Sequence, residues 1–152
     1  MVQKTDKQYV FAFGPGAKNT EGDASMKAIL GLHGSNLAEI AREGMPVPPG
    51  FTISAEACAY FTKHGGQLPS GLMEQVKGGV RKLEILSGRK FGDVHNPLLL
   101  SVRCGSAVLL PGLMDPIWNL GLTDQTVLGL CEQTGNARAG WDCYARFIEW
   151  FG

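Results

Sequence analysis

Arg103 and the short loop after it are the residues whose types and spacing best suit the binding of an anion. The continuous apolar run 98–100 predicts a strand buried on both faces, and Arg103 stands at the end of that strand. The small residues Gly105, Ser106 and Ala107 follow, so backbone groups can approach a ligand there. A guanidinium delivered to such a loop suits phosphate, with which it forms paired hydrogen bonds. The alternative is a structural arginine paired with a core carboxylate, and the residues alone leave both interpretations open.

A second candidate is the glycine-flanked segment 31–34 (GLHG). It separates a predicted short helix at 25–30 from a second helix at 36–42, for which Ser35 is a suitable N-cap. The first N–H groups of a helix have no partner inside the helix, and a glycine-rich approach to them is a general arrangement for binding anions. The same pattern also arises where two helices merely pack at a junction, and the residues alone favour that simpler interpretation.

The elements that must position these residues follow from hydrophobic periodicity and capping residues. Strands are predicted at 9–13, 51–53 and 117–120, and helices at 55–63 after Ser54, from about residue 70 onward, at 124–133 after Thr123 and at 137–151. Two stripes are predicted to face a core. They consist of Met73, Val76, Val80, Leu83 and Leu86 in the middle helix, and of Trp141, Tyr144, Phe147, Ile148 and Phe151 in the last one. We expect an α+β or α/β fold with a mixed sheet and packed helices, in which residues 1–152 form a single unit.

Composition excludes several classes of function. Fourteen basic residues balance fourteen acidic ones, so no overall field favours nucleic acid or an anionic membrane. The four cysteines show no CxxC spacing and no metal-like pairing with the three histidines, which predicts buried free thiols in a reducing compartment and no metal site. No apolar run is long enough to span a bilayer. We expect a cytoplasmic location, and an organellar form made as a longer precursor stays open.

The segment 101–122 (SVRCGSAVLLPGLMDPIWNLGL) resembles the strand–loop–strand segment of pyruvate, phosphate dikinase, whose usual form reads SVRSGA, then PGMMDT, then NLGL. The resemblance extends from about Tyr9 to the last residue. In that family this region belongs to the N-terminal nucleotide-binding domain, of ATP-grasp type, and the family enzyme is much longer than this chain. The resemblance therefore implies the N-terminal part of such a domain.

The resemblance also implies roles for individual residues. The phosphate-contacting, and in that sense catalytic, arginine of the family falls on Arg103. The backbone of Gly105, Ser106, Ala107 and Val108 would approach the phosphates. The family motif GGKG-x-NLAEM stands here as GLHG-S-NLAEI, so the phosphate-binding lysine of the family falls on His33. A histidine is shorter than lysine and is mostly neutral at pH 7, which predicts a weaker, pH-sensitive contact or none.

The implied reaction converts ATP, phosphate and pyruvate to AMP, pyrophosphate and phosphoenolpyruvate. The family uses Mg²⁺, whose ligands are not found in this chain, and carries the phosphoryl group on a histidine of a separate domain. The expected partners are the nucleotide and the remaining dikinase domains or a homodimer, and the chain alone is expected not to turn over. Two alternatives stay open: a phosphoenolpyruvate synthase-like enzyme that uses water, and a non-catalytic, truncated or degenerate binding module.

Overall fold

The computed structural model describes residues 7–105 and 116–151. The residues so described group into two compact units, one of 7–83 with Gly105 and the other of 84–104 with 116–151. The strands are β1 (Val10–Phe13), β2 (Gly50–Ile53), β3 (Leu100–Val102) and β4 (Ile117–Leu120). The helices are α1 (Lys27–Arg42), α2 (Ala55–Lys63), α3 (Leu72–Ser87), α4 (Thr126–Thr134) and α5 (Ala137–Phe151).

The α+β composition is as predicted, but the sheet differs from the prediction. In place of one mixed sheet, the strands of the described residues form two antiparallel pairs, β1 with β2 and β3 with β4. Within each pair the two strands are consecutive in sequence and, in the part of the chain that the structure describes, β2 does not pair with β3. That all 152 residues fold as a single unit stays a prediction. No helix of the described ranges is long and apolar enough to cross a membrane.

The first unit is built on the β1–β2 pair, whose register runs from Val10↔Ile53 to Phe13↔Gly50. Its core contains Tyr9, Val10, Ala57 and Leu72, with Phe51 and Val76 packed against them. Helix α2 has the predicted bounds. Its start is fixed by the Ser54 side chain, which accepts a hydrogen bond from the Ala57 N–H at 3.4 Å. Local capping chemistry is therefore enough to place this helix.

The buried face of α3 is only partly the predicted one, since Leu83 is buried and Val76 packs against the core. Leu72, Gly79 and Leu83 are buried, whereas Met73 and Leu86 of the predicted stripe are about half exposed. The reason is Gly79, where a Cβ would lie 2.7 Å from the Phe51 ring. Because glycine lacks that atom, the Phe51 ring packs directly on the helix backbone, and the face that carries Gly79 is buried.

The outer edge of β1 is closed by side chains rather than by another strand. The Gln75 side-chain oxygen accepts hydrogen bonds from the N–H groups of Tyr9 (2.7 Å) and Val10 (3.1 Å). A carboxylate oxygen of Glu21 accepts from the Ala12 N–H at 2.6 Å. These contacts satisfy donors that an edge strand otherwise leaves open. They border a cavity of about 340 Å³ that Lys7 and Lys82 also line.

In the second unit, β3 and β4 pair through an irregularity. Leu100 is opposite Leu120 and Val102 is opposite Ile117, so two residues of β4, Trp118 and Asn119, face Ser101 alone. This is the arrangement of a β-bulge. Asn119 has φ 60, in the left-handed region that asparagine tolerates better than most residues.

The strand predicted from the apolar run lies further along the chain than expected. Leu98 is buried but precedes β3, and within the strand Ser101 and Val102 are exposed. A strand buried on both faces is therefore the wrong prediction here. The pair has only two strands, and an antiparallel sheet readily leaves one face open to solvent.

Helices α4 and α5 follow capping residues. The Thr123 hydroxyl accepts from the Thr126 N–H at 3.1 Å, and the Thr126 hydroxyl accepts from the Thr123 N–H at 2.8 Å. These bonds form a capping box, although α4 starts two residues later than predicted, and α5 has the predicted bounds. The Tyr144 hydroxyl donates to the Asp124 carboxylate at 2.6 Å, and this bond raises the pKa of Tyr144.

The aromatic stripe of α5 is only partly core. Trp141, Ile148 and Phe151 are about half exposed, and Tyr144 and Phe147 are half-buried. The buried position of the helix is Gly140, where an added Cβ would collide with the Cys131 sulfur. Gly140 therefore packs directly against Cys131 of α4. Cysteines also depart from the prediction: all four are free, but Cys58 and Cys104 are exposed.

Candidate functional site

Arg103 is the first residue after β3, and its guanidinium lies over an aromatic ring. The guanidinium carbon is 5.1 Å from the centroid of the Trp118 ring on β4. At this distance the negative face of an indole attracts a cation. The ring is no hydrogen-bond acceptor of the kind a carboxylate is, so the N–H donors of Arg103 stay available to another group.

The surroundings of Arg103 bear on the alternative of a structural arginine. Arg103 is exposed, and no Asp or Glu of residues 7–105 or 116–151 lies within ion-pair distance of it. The sequence predicts Arg103 at the end of a buried strand. The structure confirms its position at the strand end, but the prediction of buried surroundings is wrong. An exposed guanidinium with no described carboxylate partner can meet an anion from solution.

His33 lies in α1, two residues after a break in that helix. Gly31 has φ 71 and ψ 173, a conformation essentially confined to glycine, so the interruption predicted at 31–34 is present. Ser35 is not the N-cap that the sequence predicts. It is fully buried, and its hydroxyl donates to the Leu32 carbonyl at 3.1 Å. The second half of α1 therefore begins at Leu32, and the exposed His33 belongs to its first turn.

The two glycines of this segment are used for close packing. A Cβ on Gly31 would collide with the carbonyl oxygen of Gly105 and lie 3.3 Å from its carbonyl carbon. A Cβ on Gly34 would lie 2.8 Å from the Thr52 side chain on β2. The simpler interpretation, a packed junction, therefore accounts for both glycines. The backbone of Gly105 does approach this segment closely.

Trp118 also borders an open groove in the second unit. The groove has a volume of about 520 Å³, and its lining includes Trp150, Cys143 and Arg146 of α5. Arg146 pairs with Asp142 at 3.0 Å, one turn earlier on the helix. Because that pair is well exposed, solvent screens it and it contributes little to stability.

Comparison with known proteins gives a consistent result. No family model matches the chain. It is 49% identical over 143 residues, 94% of its length, to the chloroplastic pyruvate, phosphate dikinase of Mesembryanthemum crystallinum. It is 47% identical to that of Rhizobium meliloti and 45% identical to that of Entamoeba histolytica, each over 145 residues or 95% of its length. The chain is a relative of the pyruvate, phosphate dikinases.

These matches confirm the resemblance drawn from the motifs. The chain spans only 15% to 16% of the length of the dikinases that it matches. The activity of a whole dikinase is therefore not a property observed for this chain.

The residues that the dikinase motifs single out are divided by the structure. His33 and Gly105 belong to the first unit and Arg103 to the second. Ser106, Ala107 and Val108 lie outside the described residues. The sequence analysis missed Trp118. A usable signal for it is present, because Trp118 is an aromatic residue on β4, the strand that pairs with β3 next to Arg103.

Proposed function

We propose that this chain is the nucleotide-binding segment of a pyruvate, phosphate dikinase-type enzyme, with an ATP-grasp fold, and that Arg103 contacts a phosphate group of ATP. The observation that carries the proposal is the state of Arg103: exposed, held over Trp118, and without a described carboxylate partner. Guanidinium and phosphate match in both charge and hydrogen-bond geometry. The dikinase relatives supply the chemical context.

The other residues have smaller roles in this proposal. The backbone that starts at Gly105 and continues through Ser106, Ala107 and Val108 approaches the phosphates. His33 adds a contact that depends on its protonation, since only imidazolium carries positive charge. The full reaction, from ATP, phosphate and pyruvate to AMP, pyrophosphate and phosphoenolpyruvate, is proposed for a longer assembly that includes the remaining dikinase domains.

Magnesium is implied by the family. No three His, Cys, Asp or Glu side chains within 7–105 and 116–151 converge as an all-protein metal site requires, and Mg²⁺ commonly takes only one or two carboxylates together with phosphate oxygens and waters. We therefore assign no metal ligand and derive no step through Mg²⁺. Because the chain spans only 15% to 16% of the length of the dikinases that it matches, we propose that this chain alone binds nucleotide without turning it over.

The experiment is a titration of the chain with ATP at fixed ionic strength, followed by amide NMR shifts, which report millimolar affinities. Charge-assisted hydrogen bonds contribute about 1.5–3 kcal/mol each, so Arg103→Ala should weaken ATP binding by about tenfold or more. The melting temperature should stay nearly unchanged, because the residue is exposed. With Mg²⁺, phosphate and pyruvate added, no AMP should form.

The matched control is Arg138→Ala, which removes an exposed arginine from α5 of the same unit. It should leave ATP affinity unchanged. Equal affinity in the unaltered chain and Arg103→Ala would contradict the proposal. A clear loss of melting temperature in Arg103→Ala with no loss of affinity would establish the structural role instead.

A non-catalytic binding module is the second candidate, favoured by one observation. An exposed histidine, His33, stands where the dikinase motif has its phosphate-binding lysine. Full turnover on addition of the remaining domains of a dikinase as a second polypeptide would exclude this candidate.

A further inference from the structure

Trp118 has no role of its own in the motifs, and the proposed function uses it only as the ring over which Arg103 lies. We propose that Trp118 is a positioning residue, which holds the Arg103 guanidinium so that its N–H donors face an arriving phosphate. This inference rests on the proposed function, since it concerns the same phosphate contact. Its starting point is the 5.1 Å distance between the guanidinium carbon and the indole centroid.

Strand register explains why these two side chains meet. Val102 is paired with Ile117 in an antiparallel ladder. Arg103 follows Val102 and Trp118 follows Ile117, so the two residues lie on opposite sides of this pair along the ladder. Side chains alternate between the two faces of a strand. Arg103 and Trp118 therefore share a face as diagonal neighbours, a separation that long and aromatic side chains bridge.

The bulge fixes the tryptophan at this place. Ser101 is opposite both Trp118 and Asn119, and the left-handed φ of Asn119 takes up the extra residue. A bulge bends its strand and increases the local twist, and in many proteins it re-aims a side chain beside a functional site. The orientation of Trp118 is thus set by the backbone of β4 and does not require Arg103 to be present.

The chemistry of the contact suits a phosphate-binding arginine. A carboxylate in the place of Trp118 would orient the guanidinium, but it would neutralise the charge and occupy its donors. An indole orients the cation through its negative face and leaves the charge and the donors in place. A guanidinium that is already held also loses less side-chain freedom when the ligand binds.

The experiment compares Trp118→Leu, which keeps an apolar side chain without a π face, with Trp118→Phe, which keeps a weaker one. ATP is the ligand, titrated by NMR as above. Because Arg103 in Trp118→Leu must lose its side-chain freedom when ATP binds, Trp118→Leu should weaken ATP binding about three- to fivefold, and Trp118→Phe should retain most of the affinity. In an Arg103→Ala background, Trp118→Leu should have no further effect on affinity.

A second measurement tests the contact without ATP. Protons of the Arg103 side chain near an indole face carry an upfield ring-current shift, which should disappear in Trp118→Leu and persist, reduced, in Trp118→Phe. Absence of this shift in the unaltered chain would overturn the proposal even if Trp118→Leu fails to fold.

The remaining outcomes separate this inference from the proposed function. If the unaltered chain binds ATP, Arg103→Ala weakens it and Trp118→Leu does not, Trp118 is no positioning residue while the proposed function stands. If Trp118→Leu weakens binding equally with and without Arg103, the residue acts on folding or on another contact, and the inference is wrong. If the unaltered chain binds no ATP, the proposed function fails and the positioning role fails with it.

Discussion

Two regions carry the candidate residues, and they are built in opposite ways. Around His33 in the first unit, the structure depends on glycines, which have no side chain. Gly31 adopts a conformation essentially confined to glycine and lies against the Gly105 carbonyl. Around Arg103 in the second unit, it depends on a contact between two large side chains. The glycines near His33 are accounted for by packing, whereas no carboxylate of the described residues neutralises the charge of Arg103. The comparison makes Arg103 the stronger candidate for binding phosphate.

The largest effect is expected at Gly31. Gly31→Ala forces a Cβ into a conformation that costs about 1–3 kcal/mol and also drives that atom into the Gly105 carbonyl. Together we expect a loss of about 3 kcal/mol or more in the free energy of unfolding. Urea denaturation of the chain measures it.

Two other glycines separate the causes at Gly31. Gly105→Ala places its Cβ 3.7 Å from the nearest atom, an ordinary contact, and should be nearly neutral. Gly65→Ala has φ 61 but nothing within 4 Å, so it should cost only the left-handed backbone, about 1 kcal/mol. If Gly31→Ala lowers the free energy of unfolding no more than Gly65→Ala does, the close approach of Gly105 to Gly31 adds nothing to the cost of the substitution.

The second-largest effect is expected at the bulge, in the other region. Asn119→Val puts a β-branched residue at φ 60 and should cost about 1–2 kcal/mol of unfolding free energy, because such residues rarely adopt this conformation. It should also abolish the ring-current shift of Arg103, since Trp118 loses its orientation. Asn119→Gly, which adopts the same φ freely, is the control and should keep the shift. Loss of the shift in both variants would mean that the asparagine side chain, not the backbone, orients Trp118.

The elements that the sequence predicts correctly are those with local signals. Helix α2 follows from Ser54 and from apolar spacing, and β4 and α5 have the predicted bounds. These signals lie within a few residues of the element that they define. Thr123 likewise predicts α4, and its reciprocal hydrogen bonds with Thr126 form a capping box, although the helix begins at Thr126.

The parts that sequence patterns do not give depend on partners distant along the chain. The buried face of α3 is decided by the ring of Phe51 on Gly79, a contact that no helical periodicity contains. The surroundings of Arg103 are decided by Trp118 through strand register and a bulge. Periodicity and motifs locate Arg103 at a strand end, whereas its exposure and its aromatic contact require the structure.

The smallest effect is expected at His33, and it tests whether the first region binds phosphate at all. Only protonated imidazole carries charge, and its fraction grows as the pH falls from 8 to 6. His33→Lys makes the charge permanent, so it should tighten ATP binding about two- to threefold at pH 8, as an exposed charge pair worth a few tenths of a kcal/mol allows. The gain from His33→Lys should shrink as the pH falls, because protonated imidazole carries the same charge as lysine. The quantity to compare is the ratio of the ATP affinities of His33→Lys and the unaltered chain at each pH, because protonation of ATP itself affects both alike.

His64→Lys makes the same change on an exposed histidine at the end of α2 and should give a ratio near one at every pH. A His33 ratio that equals the His64 ratio at every pH would show that His33 makes no phosphate contact and leave Arg103 as the candidate that carries the site.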